Sequence, residues 1–133
     1  MGQVEERNKE LAGVFLDALS RADVDLVKTL YADDFQLWTA GSLPFSGTSN
    51  LEQALAGMPA VLDLFPDGLR FTIKAMTAEG ERVAIEAVSA GTTFRGDRYE
   101  QAYHFLMRVR DGKIVEFKEY MDTEHARKVL VGE

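Results

Sequence analysis

The chain contains no cysteine. That excludes disulfides, thiol nucleophiles, iron–sulfur clusters and cysteine-ligated zinc. No apolar run approaches the roughly 20 residues that a helical membrane span needs, so no membrane association is expected. Basic residues are in deficit, with 15 Lys+Arg against 22 Asp+Glu and a formal net charge of −7. An acidic surface repels phosphate backbones, and no local basic patch offsets it, so no nucleic-acid partner is expected. The opening stretch MGQVEERNKE is charged and has no apolar segment leading to a small-residue cleavage site. No secretory leader is read there, and the expected location is cytoplasmic. The only two histidines, His104 and His125, share no metal-ligand spacing, so no metal site is expected. The Gly41 to Gly47 stretch lacks the Gly-Lys-Ser/Thr ending of a phosphate loop.

What is present is 133 residues, 46% of them hydrophobic. That is one domain, residues 1–133, long enough to bury a core without a staple. Leu11, Val14, Phe15, Ala18 and Leu19 recur at helical spacing and predict one buried stripe. Asp23 is placed to cap a short second helix carrying Val24, Leu26, Val27, Leu30 and Tyr31. Asp33-Asp34 breaks that pattern as a solvated turn, and Phe35 to Trp38 alternates as a strand. A loop rich in Gly, Ser and Pro follows, from Thr39 to Thr48. Ser49 with Glu52 matches a capping box, so a third helix is expected from Asn50 toward Leu64, kinked or split by Pro59. The second half changes to period two. Leu69–Ala78, Arg82–Thr92, Tyr99–Val109 and Lys113–Met121 are predicted strands, with an Asp111-Gly112 hairpin turn between the last two. Asp122 then caps a terminal helix. Helices segregated from an antiparallel meander mean α+β, with room for an apolar pocket between the layers.

Several of these segments resemble a known family. Leu30-Tyr31-Ala32-Asp33-Asp34-Phe35, followed by Gly41-Ser42-Leu43-Pro44-Phe45-Ser46-Gly47, resembles the start of SnoaL-like proteins. So do Tyr103-His104-Phe105, Asp111-Gly112-Lys113-Ile114-Val115 and Glu119-Tyr120-Met121-Asp122-Thr123. These proteins lie in the nuclear-transport-factor-two-like superfamily, with ketosteroid isomerases and limonene epoxide hydrolases as enzyme relatives. The resemblance covers nearly the whole chain. It implies a cone-shaped α+β roll of the cystatin-like kind, its mainly antiparallel curved sheet wrapped around helices. It further implies an enclosed pocket, a homodimer and no cofactor.

The relatives' catalytic residues do not carry over. The general base of ketosteroid isomerase falls on Thr39, its oxyanion-hole tyrosine on Phe15 and its protonated aspartate on Tyr103. A threonine cannot shuttle a proton as a carboxylate does, although Tyr103 keeps a donor in the aspartate's place. The Arg and first Asp of limonene epoxide hydrolase fall on Ala87 and Ser89, and its water-holding Tyr and Asn on Leu37 and Thr39. Only its last Asp has an acidic match, Glu119. The Asp acid/base of SnoaL-type aldol cyclases has no assigned equivalent.

Glu119 is the leading candidate. Phe117, Glu119 and Met121 alternate onto one face, which the resemblance makes the pocket face. A carboxylate between Phe and Met holds its proton more tightly than in water, which suits acid/base work. The plainer alternative is a rim carboxylate paired with a cation. Tyr103, on a face with Tyr99, Gln101 and Phe105, is placed as an oxyanion donor or as a core aromatic with a satisfied hydroxyl. Trp38, Thr39, Ser89, Gln101, Phe117 and Met121 are the expected ligand-binding positions. His104 points the other way, with Glu86 at matching parity, and reads as an interface residue. The outer sheet face, with Val88, Ala102 and Leu106, is expected to meet a second copy of the chain. Three functions stay open. One is a cofactor-independent isomerase, hydratase or cyclase acting on an apolar, oxygen-bearing substrate. The others are a non-catalytic binder of a small hydrophobic ligand and a dimeric interaction module.

Overall fold

The computed structural model describes residues 2–133. Two helices open the chain, α1 over Gln3–Ser20 and α2 over Val24–Leu30. The strand β1 (Tyr31–Thr39) follows, then β2 (Gly47–Asn50) and the helix α3 (Leu51–Leu62). The meander is β3 (Arg70–Glu79), β4 (Arg82–Thr92), β5 (Arg98–Arg110) and β6 (Lys113–Met121). A short helix α4 (Thr123–Ala126) runs into a π-helical turn, Arg127–Val131. The strands form one sheet in the order β2-β1-β6-β5-β4-β3. All neighbours are antiparallel except β1 and β6, which run parallel.

Local chemistry explains most of the boundaries. Asp23 accepts from the Leu26 amide at 3.1 Å and starts α2, and Asp122 accepts from the His125 amide at 3.2 Å and starts α4. Asp111 and Gly112 both have positive φ, 52° and 75°, which turns β5 tightly into β6. The α+β class, the four meander strands and both caps follow the sequence pattern.

Five local expectations are corrected. The capping box at α3 is Asn50 with Gln53, one residue later than Ser49 with Glu52. Asn50 and Gln53 each bond the other's backbone at 2.9 Å, which the acceptor-only Glu52 carboxylate had seemed equally suited to do. Pro59 does not split α3. It removes one donor near the helix end, while the Asp63 amide bonds the Pro59 carbonyl at 2.8 Å and keeps the last turn closed. Residues 47–50 are an edge strand paired with β1, not loop. Tyr31 belongs to β1 and not to α2, and Asp33 and Asp34 lie in β1 where its register with β6 shifts. Such a bulge turns both acids out to solvent, and Asp34 pairs with Arg110 at 2.7 Å. Val14, expected in the buried stripe of α1, is exposed, and the stripe is carried by Ala12, Phe15, Leu16 and Ala18.

Two apolar clusters fill the space between the helices and the inner sheet face. The larger joins α1 and α2 to the sheet through Phe15, Leu16, Val27, Ile85, Phe105 and Phe117. The smaller gathers Leu43, Phe65, Leu69, Tyr99, Ala126 and Val129 at the other end. Gly91 is where backbone meets backbone in that second cluster. A Cβ there would lie 2.9 Å from both the Gly68 carbonyl oxygen and Phe65 Cδ1. Gly91→Ala is therefore expected to destabilise the fold by about 1–3 kcal/mol, read as a lower midpoint in urea unfolding. An unchanged midpoint would show that the segment carrying Phe65 and Gly68 yields freely.

Candidate functional site

A cavity of about 270 Å³ lies between the two clusters. Its inner wall is the concave sheet face, with Tyr99, Tyr103 and Phe105 from β5 and Phe117, Glu119 and Met121 from β6. The alternation of side chains along each strand delivers these six residues inward. Helices α1 and α3 supply the opposite wall through residues such as Phe15, Leu19 and Met58. Phe45, which is 40% exposed, stands at the mouth.

Glu119 is the single carboxylate in this lining, and no Lys, Arg or His lines it. Among the described residues no donor or cation answers its side chain, and burial alone pushes its pKa up from 4.5 to about 7. Its partly accessible surface faces the cavity. Phe105 is its cross-strand partner on β5 and Thr39 its register partner on β1. Thr39 also lines the cavity. The wall is otherwise aromatic. Phe105 and Phe117 have ring centroids 4.8 Å apart, and Tyr103 stacks on Phe105 at 4.7 Å.

Tyr103 lines the cavity, and its hydroxyl lies 2.8 Å from the Ser89 hydroxyl. The Tyr99 hydroxyl also shares a hydrogen bond with Tyr103, so a ligand oxygen would compete with Tyr99 for the Tyr103 proton. Burial raises the Tyr103 pKa well above the ordinary phenol value, so the group is a neutral donor at any physiological pH. Ser89 itself does not reach the cavity. It stands behind Tyr103 and orients its hydroxyl.

Besides Ser89, two further expected ligand positions lie off the cavity. Trp38 is on the outer sheet face, because its neighbours Leu37 and Thr39 point inward. It packs on Tyr120, with the Lys118 ammonium 5.9 Å from its ring. Gln101 is buried and fully engaged. Its amide nitrogen donates to Tyr99 and to the Asp122 carbonyl, each at 3.0 Å, and its oxygen accepts from the Asp122 amide at 2.9 Å. It ties β5 to the start of α4 rather than touching the cavity. His104 is exposed on the outer face, with Glu86 as its register partner.

Several lining groups were absent from the sequence-based set, among them the polar side chains of Tyr31, Ser49, Gln53 and Tyr99. Tyr31 reaches the cavity, and its hydroxyl has no hydrogen-bond partner among the described residues. Burial, and then the nearby Glu119 charge, raise its pKa above the ordinary value. The signal was parity: once the strand starts at Tyr31 instead of Phe35, Tyr31 alternates with Leu37 and Thr39. The site thus holds one acid and several hydroxyl donors in an apolar shell, and no trio of His, Asp or Glu converges among the described residues.

A family model described as the SnoaL-like domain matches residues 13–117. The chain belongs to the SnoaL-like domain family. Solved structures agree on the fold. PrhC from Penicillium brasilianum is similar over 98% of this chain and 89% of its own, at 16% identity and a TM-score of 0.87. A candidate SnoaL-like polyketide cyclase from Jannaschia sp. CCS1 matches over 100% and 97%, at 18% identity and 0.83. A protein with a cystatin-like fold from Xanthomonas campestris matches over 89% and 93%, at 22% identity and 0.78. No curated protein matches the chain. SnoaL-like members share this roll, and identities this low speak for the fold and not for an activity.

The unpaired acid has a consequence for stability. The folded state holds the Glu119 proton more tightly than the unfolded chain does, so its burial costs nothing below the ordinary value of 4.5 and the full amount above about 7. Stability should therefore fall as pH rises through that window. Glu119→Gln should flatten the slope and add on the order of 2–3 kcal/mol at slightly alkaline pH, measured by urea unfolding. A parent whose stability is level across the window would contradict the buried, unpaired carboxylate.

Proposed function

We propose that this SnoaL-like protein is a cofactor-independent enzyme acting on a small, apolar, oxygen-bearing molecule, by isomerisation, hydration or cyclisation. Glu119 is the acid/base and Tyr103 the donor to the substrate oxygen. The observation that supports this reading best is a lone carboxylate, its pKa raised by burial to about 7, set among rings and facing an apolar cavity. Such a group populates both protonation states at neutral pH, so it can take a proton from carbon and return it elsewhere. A phenol held by Ser89 and Tyr99 at the cavity wall can stabilise negative charge that develops on oxygen. The Jannaschia protein's description as a candidate polyketide cyclase is consistent with carbonyl chemistry of this kind.

The test begins with a thermal-shift screen of hydrophobic carbonyl compounds and lactones, followed by product analysis on the binders. Turnover should follow the ionisation of one group near pH 7. Glu119→Gln should abolish it, and Tyr103→Phe should lower kcat by about 10–100-fold. Ligand binding that persists with no product in parent protein supports the second reading, a non-catalytic binder of a hydrophobic molecule.

We also propose a cytoplasmic homodimer closed through the outer sheet face. No helix is long and apolar enough to cross a membrane. Val88, Ala102 and Leu106 lie on that face, beside Trp38 and a 42% exposed Tyr120. Static light scattering should give twice the monomer mass, and Ala102→Glu should return it to one. A monomer at micromolar concentration contradicts the dimer, which in turn would leave the aromatic pair Trp38 and Tyr120 facing water.

A further inference from the structure

A carboxylate inside an apolar cavity has two routes to neutrality, a proton or a cation. This chain offers Glu119 no cation. The lining residues from α1, α3 and the C-terminal turn carry no ionisable group at all, β1 contributes only the phenol of Tyr31, and β5 only those of Tyr99 and Tyr103. Burial pushes all three phenols upward, so they stay neutral. Glu119 is thus the one cavity group whose charge changes around neutral pH. Its surroundings suit a positive guest. Phe105 faces it across the strands, Phe117 sits two residues before it on the same face, and Tyr103 stacks on Phe105. Ring faces attract cations, most strongly where water is excluded. Acceptors are at hand as well: Thr39, the register partner of Glu119, lines the cavity, and so does Tyr31, whose hydroxyl has no partner among the described residues.

We propose that the cavity binds hydrophobic primary amines as their ammonium ions, with the ammonium donating to the Glu119 carboxylate and the Thr39 hydroxyl while the hydrocarbon body packs on Phe105, Phe117 and Tyr103. An ammonium has three donors and no acceptor, so it needs several acceptors in place of water. Glu119 and Thr39 supply them without competition from any protein cation. The 270 Å³ volume holds a compact polycyclic body, roughly nine waters' worth of space. The same site then selects its guest by pH. Protonated Glu119 suits a neutral oxygen ligand, and ionised Glu119 suits an amine. This inference rests on the cavity and on the place of Glu119 in it, as the proposed enzyme does, but not on catalysis.

Adamantylamine and adamantanol are a matched pair that differs only in the polar group. Binding of each is measured by calorimetry at about pH 5.5 and about pH 8.5, where Glu119 passes from almost wholly protonated to almost wholly ionised. Amine affinity should rise about thirtyfold over that range, and amine binding at the lower pH should release close to one proton, read by comparing two buffers. Adamantanol affinity should stay level or weaken. Glu119→Gln should lose the pH dependence for the amine while still binding the alcohol. The parent's pH dependence and proton release decide the matter even if that variant folds poorly. Amine affinity that is flat with pH, or a dependence that survives in a folded Glu119→Gln protein, overturns the proposal. Binding of the alcohol alone overturns it too and leaves the enzyme reading standing. If neither probe binds, the amine site is refuted and the pocket reading is weakened with it.

Discussion

The candidate site depends on the desolvation of Glu119. A carboxylate on the inner face of a central strand cannot be hydrated as in water, and the fold places no counter-charge beside it. Raising its pKa to about 7 corresponds to on the order of 3 kcal/mol against the ionised form. That cost is a sizeable part of a small domain's net stability. Two apolar clusters, one on either side of the cavity, supply the burial that offsets it.

Topology makes the acid central. Strand β6 lies between β1 and β5, so residues on its inner face have neighbours on both sides. The parallel pairing with β1 sets Thr39 against Glu119, and the antiparallel pairing with β5 sets Phe105 there. Both contacts depend on the parity of the strands. A one-residue slip in the β5–β6 hairpin would turn Glu119 to the outer face, where Lys118 and Tyr120 now sit. The Asp111-Gly112 turn sets Val109 against Ile114, a bulge between Val109 and Arg108 then shifts the pairing by one residue to give the register in which Phe105 faces Glu119, and Gln101 holds the far end of β5 to the start of α4. The site is thereby framed by backbone pairings more than by side-chain bonds.

The meander and the inward set Phe117, Glu119 and Met121 were legible in the sequence because period-two alternation is a local property. So were the caps at Asp23 and Asp122, each decided within three residues. What was not legible came from pairings distant in sequence. Residues 47–50 have no strand-like composition, and only β1 alongside makes them a strand. The helical continuation expected through Tyr31 yielded to parallel pairing with β6, more than 80 positions along the chain. Trp38 is expected at the cavity, but its neighbours Leu37 and Thr39 take the inward positions and strand parity turns it outward. Gln101 had the right parity, but its amide matched the Asp122 backbone better than open space, a fact that depends on where α4 docks.

The family's fold and the local chemistry answer different questions here. The roll fixes a cavity and aims a strand into it, and many activities share that much. Individual positions then decide the chemistry, and in this chain no Lys, Arg or His lines the cavity beside Glu119. Glu119 therefore has no partner among the described residues that would lock it into one protonation state. A paired carboxylate would stay ionised and act as an anchor, whereas an unpaired one changes state at the pH of the cell. The absence of a cation from the cavity lining is therefore what makes this acid responsive, both to a proton and to whatever charge a ligand carries in.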